Sequence, residues 1–103
     1  MSKLALFVKV KAQPGKREQV KQTWEELVKP HVENEEKVNF SIFSYSNDDD
    51  DTIFLFELIS DPESFKAATQ EDWFVDYMEK LKPLLASPPE RIMATPVWIK
   101  GAS

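Results

Sequence analysis

The segment Thr52 to Ile59 reads TIFLFELI and is apolar at nearly every position. Its β-branched and aromatic residues favour a strand, and a strand apolar on both faces needs cover on both. One layer of helices covers only one face of a sheet. A chain built around this strand must therefore put a second surface against the other face.

The neighbouring segments supply the rest of the sheet. Lys3 to Ala12 alternates Leu4, Leu6, Val8 and Val10 on one face with Ala5, Phe7, Lys9 and Lys11 on the other. Val38 to Ser46 alternates Val38, Phe40 and Ile42 with Asn39, Ser41, Phe43 and Tyr45. Phe43 and Tyr45 are expected on the face away from the helices, with Ala5 and Phe7. Asn47 to Asp51, with four adjacent aspartates, repels itself and reads as a solvated hairpin loop. It lacks the spaced oxygen ligands and the glycine of a helix-flanked calcium loop, so no metal site is assigned there.

Helical spacing fills the gaps between strands. After Pro14 and Gly15, the residues Val20, Trp24, Leu27 and Val28 place a helix over about Lys16 to Lys29, and Pro30 either ends it or opens a short continuation through Asn34. Ser60-Asp61-Pro62-Glu63 starts a second helix through Phe65 and Ala68. A third starts at Asp72 and carries Trp73, Phe74, Tyr77, Met78, Leu81, Leu84 and Leu85 on one stripe. Arg91 to Lys100 reads as a last strand, which Pro96 confines to an edge or forces out of its sheet. The order strand, helix, strand, strand, helix pair, strand is that of a ferredoxin-like βαββαβ α+β sandwich with a four-stranded antiparallel sheet. The uncovered sheet face predicts a two-fold homodimer, with Val97, Trp98 and Ile99 reaching across to the second copy.

Length, charge and composition narrow the chemistry. With 103 residues a single domain over 1–103 is expected. No cysteine is present, which removes disulfides, thiolate metal sites and a cysteine nucleophile and leaves the cytoplasm as the expected compartment. A net charge of −5 disfavours nucleic acid. No run approaches the ~20 apolar residues of a membrane span. Seven of the 13 basic residues lie before Pro30, where Lys16, Arg17, Lys21 and Lys29 form the polar side of the first helix. Gly15 and Gly101 are the only glycines, so no nucleotide-binding fingerprint can be built and no cofactor is expected.

The candidate site residues follow. His31 is the single histidine and the natural general base, competing with a surface or capping role at its helix end. Glu57 is alone among apolar neighbours, and a buried carboxylate there needs a partner or a raised pKa. Trp24, Trp73 and Tyr77 lie on helix faces that turn toward the sheet and either line an aromatic pocket or fill the core. Asn39, at the start of the second strand, offers a neutral donor and acceptor.

KAQPGKREQV, FLFELISDPESF, EDWF and KLKPLLASPPERIMATPV together resemble the antibiotic-biosynthesis monooxygenase-like domain family over Leu4 to about Val97. The resemblance implies a dimeric α+β barrel. It also implies a cofactor-independent monooxygenase acting on a small aromatic, phenolic or quinol substrate, with Glu57 matching the family's strand glutamate. The chain departs from the family's pattern at Asn34-Glu35-Glu36, at Ile59 where many members have tryptophan, and at Ala68 where a histidine recurs. The iron-ligating histidine of the haem-degrading branch would fall at Met78, so haem degradation is not expected. These departures frame the alternative, a non-catalytic dimer that binds a small molecule or serves only as structure.

Overall fold

The computed structural model describes residues 3–101. Its strands are β1 (Leu4–Lys11), β2 (Val38–Tyr45), β3 (Thr52–Ile59) and β4 (Glu90–Ala94), and its helices are α1 (Arg17–Leu27), α2 (Lys29–Asn34), α3 (Pro62–Ala68) and α4 (Asp72–Leu81). The four strands form one antiparallel sheet in the order β2-β3-β1-β4. This is the ferredoxin-like arrangement, with the doubly apolar β3 and β1 in the centre as their sequences require.

Local chemistry sets the helix boundaries. Gly15 takes a φ of 78°, in the left-handed region that glycine adopts without strain, and turns the chain from β1 into α1. Pro30 sits in the first turn of α2, where its missing N–H costs nothing, so the chain bends between α1 and α2 instead of continuing as one helix. The Asp61 side chain accepts from the Glu63 backbone N–H at 3.1 Å and caps α3, again with proline in the first turn. Pro83 falls in a 3-10 turn over Lys82–Leu84, so α4 stops at Leu81 and does not carry Leu84 and Leu85 as expected.

Residues of β1, β3, α1 and α4 build the core between sheet and helices. Val10, Ala12, Val20, Ile53 and Leu81 are its most buried cluster, with Val8, Phe43, Tyr77 and Met78 packed around it. Arg17 ties α1 to the hairpin loop. Its Nη1 donates to the carbonyls of Asp49 (2.9 Å), Thr52 (3.3 Å) and Ser46 (3.4 Å), and its guanidinium lies 4.0 Å from the centre of the Tyr45 ring. The acidic loop is thus anchored by a cation and stays solvated, as its composition requires.

Two further sequence expectations are corrected by the strands. The alternation expected for β2 breaks at a bulge between Val38 and Phe40, and the extra residue reverses which side chains face the helices. Phe43 and Tyr45 therefore lie on the helix side, Phe43 with its ring centre 4.6 Å from that of Trp24, while Phe40 and Ile42 stand on the outer face. The last strand is shorter than Arg91 to Lys100: it begins at Glu90 and ends at Ala94, and Pro96 lies beyond it.

The outer face of the sheet carries no helix. Phe7, Phe40, Ile42, Phe54 and Ile92 are all exposed there. The segment after Pro96 turns along this face, where Trp98 and Ile99 border an open groove of about 480 Å³ with Phe7, Phe40 and Phe56.

Candidate functional site

Between the helices and the inner face of the sheet lies a cavity of about 240 Å³ with largely apolar walls. Its sheet side comprises Leu6, Val8, Phe43, Leu55 and Glu57, and its helix side Trp24, His31, Ala68, Trp73, Phe74 and Tyr77. The helical layer is in separate pieces, α1 and α2 parting at Val28 and α3 and α4 at Thr69 to Glu71, and residues of all four border the space.

Glu57 is the group that most needs explanation. It is only 7% exposed, and its nearest polar partner is Ser41, whose Oγ donates to Oε2 at 3.5 Å across the β2–β3 ladder. Burial raises its pKa above the ordinary glutamate value, and the weak bond from Ser41 only partly opposes this. No cation forms an ion pair with it among the described residues. The carboxyl group faces the cavity wall with spare hydrogen-bonding capacity.

Tyr77 approaches from α4. Its phenol is pushed up to about 12 by burial, with the charge of Glu57 acting in the same direction and that of Arg91 against it. Glu57 and Arg91 are therefore each close enough to act electrostatically on Tyr77. The guanidinium of Arg91 stands 5.4 Å from the centre of the Phe74 ring. His31 stacks flat on Trp73, with ring centres 3.9 Å apart and 9° between planes. His31 is itself exposed, so this stack is part of the cavity rim. The indole N–H of Trp24 is buried without an acceptor among the described residues.

Five of the six residues singled out from the sequence, His31, Glu57, Trp24, Trp73 and Tyr77, are brought around this one cavity. Asn39 is not. The bulge at the start of β2 carries it to the outer-face groove, where its Oδ1 accepts from Lys3 Nζ at 2.7 Å. Arg91 was missed by sequence reasoning, because one arginine in a short edge strand carries no periodic signal. Ser41 was missed too, since its pairing with Glu57 depends on the bulge. No group of three or more metal-ligating side chains is found among the described residues. No helix among them is long and apolar enough to cross a membrane.

No family model matches the sequence, and no curated protein matches it. Solved structures do. A candidate antibiotic biosynthesis monooxygenase from Chloroflexus aurantiacus is 25% identical with a TM-score of 0.80, and the match covers 97% of this chain and 98% of that one. The fold is that of the antibiotic biosynthesis monooxygenase-like proteins. A second candidate antibiotic biosynthesis monooxygenase, from Caulobacter crescentus, has a TM-score of 0.85 at 18% identity and covers 94% of this chain and 92% of its own. A Nitrosomonas europaea protein of unknown function has a TM-score of 0.80 at 22% identity, over 100% of this chain and 97% of that one. The antibiotic biosynthesis monooxygenase-like fold is thus shared along nearly the whole chain, by proteins with and without a named activity.

Proposed function

We propose that the protein is a cofactor-independent monooxygenase-like enzyme that takes a small aromatic phenol or quinol into the cavity above Glu57. The observation that carries this reading is Glu57 itself: a buried carboxyl of raised pKa, without an ion-pair partner, facing an apolar space bordered by aromatic rings. A general base works best when its pKa lies near the working pH, and burial moves Glu57 in that direction.

In this reading Glu57 accepts the phenolic proton, and the electron-rich ring adds dioxygen at carbon. The resulting hydroperoxide loses water to leave a carbonyl, so one oxygen atom enters the product and the other leaves as water. The apolar walls keep bulk water from the anion. Glu57 then returns the phenolic proton to the peroxide, which completes the hydroperoxide, so no net proton leaves the site, and His31 stands on the cavity rim. Oxygen uptake with a panel of quinols and naphthols tests the proposal. Turnover should fall by about 10²–10⁴-fold in Glu57→Gln, the usual contribution of a general base, while binding persists. Unchanged uptake in Glu57→Gln excludes the assigned base.

A second reading, a small-molecule-binding protein without catalysis, is favoured by Ala68, which brings no titratable group to the cavity at the position where the resembled family has histidine. Saturable quenching of tryptophan fluorescence with no oxygen uptake selects it. In either reading the uncovered sheet face meets the same face of a second copy. The exposed Phe7, Phe40, Ile42, Phe54 and Ile92 support this, since each large apolar side chain left in water forgoes roughly 1.5–3 kcal/mol of burial.

A further inference from the structure

We propose that the cavity selects a one- or two-ring aromatic that carries an anionic substituent as well as its hydroxyl, with Arg91 pairing with that anion. This rests on the reading of the cavity as a ligand site and adds the chemical class of the ligand.

Size comes first. An apolar cavity of about 150 Å³ admits a single benzene ring, so the 240 Å³ here has room for a fused bicycle. Charge comes second. The Arg91 side chain makes no hydrogen bond and no ion pair among the described residues, although acids outnumber bases in the chain by 18 to 13. Arg91 is solvent-exposed, so water satisfies its guanidinium in the free protein and an incoming anion can reach it. Here its neighbours are the Phe74 ring and, within electrostatic range, the Tyr77 phenol.

The placement follows from β4. Arg91 pairs opposite Val8, whose side chain faces the cavity, so the pleat directs Arg91 to the same side. The guanidinium fork matches a carboxylate geometrically, and an aromatic surface beside it holds the fork in place. Lys37 also reaches the rim, but next to Glu35, whose carboxylate accepts from the Lys37 backbone N–H at 2.9 Å and offsets its charge. Arg91 is the rim cation without such an acid bound to its own segment. A ligand ring lying between Trp24 and Trp73 can then direct its hydroxyl to Glu57 and its anionic group to Arg91.

Tryptophan fluorescence with two matched probes tests this: 1-hydroxy-2-naphthoate and 1-naphthol, which share the ring and hydroxyl and differ in the carboxylate. The naphthoate should bind about tenfold more tightly, as expected for a charge-assisted pair at a partly exposed site. In Arg91→Gln the ratio should fall to about one while naphthol affinity stays as it was, and Arg91→Lys should recover part of the preference. Circular dichroism of each variant confirms that the fold is retained. Equal binding of both probes, or a preference unchanged in Arg91→Gln, overturns the role of Arg91 and leaves the cavity reading standing. Binding of neither probe overturns both.

Discussion

Glu57 links stability to activity through one proton. Burial raises its folded-state pKa, whereas in the unfolded chain it titrates as an ordinary glutamate. Below the ordinary value both states hold the proton. Between the ordinary and the raised value only the unfolded state has lost it, so stability falls as pH rises through that window and levels off above it. Chemical denaturation of the wild type from about pH 4 to about pH 8 should show this fall, and Glu57→Gln should flatten it and be the more stable protein at the upper end. Oxygen uptake should move oppositely, rising with pH as Glu57 ionises. At this scale the sequence was informative where a residue broke a pattern: one glutamate in an apolar strand, one histidine in the chain. Arg91 and Ser41 break no pattern, and their importance arises only from which residue stands opposite them in the ladder.

Elements were legible wherever proline, glycine or a capping residue punctuated the periodicity. The entry to α3 is the plainest case, since Asp61 accepts from the Glu63 N–H and also from the Ser64 hydroxyl at 3.0 Å. Asp61→Ala should cost about 1 kcal/mol in thermal or urea unfolding. The anchor of the β2–β3 loop depends on a long-range contact that no local pattern announces. Replacing Arg17 with Ala removes a charged donor from the carbonyls of Ser46, Asp49 and Thr52, of which the latter two keep backbone partners, and should cost about 1.5–3 kcal/mol, measured the same way, with the loss reporting the α1–hairpin contact. The bulge in β2 was illegible for a different reason. Both rows of that strand carry aromatic residues, so hydrophobic alternation could not choose which row faces the helices, and one inserted residue decided it.

At the scale of the molecule, all four helices lie on one side of the sheet and the other side carries only the segment after Pro96. A face-to-face pair is expected to bury well over ~2,000 Å², the range of obligate interfaces, with the segment after Pro96 extending it. Truncation after Thr95 should then give aggregation or a shift toward monomer in sedimentation velocity. A full-length chain that stays monomeric at micromolar concentration overturns the pairing. The one-sided layering also makes the chain a plate, 40 × 33 × 20 Å along its principal axes. Two such plates joined through their broad faces stack along the thin axis, and two layers of 20 Å give a particle about 40 Å deep. Association would therefore double the mass with almost no gain in the longest dimension. The frictional ratio should fall on pairing, and the maximum distance in solution X-ray scattering should stay near that of the single chain.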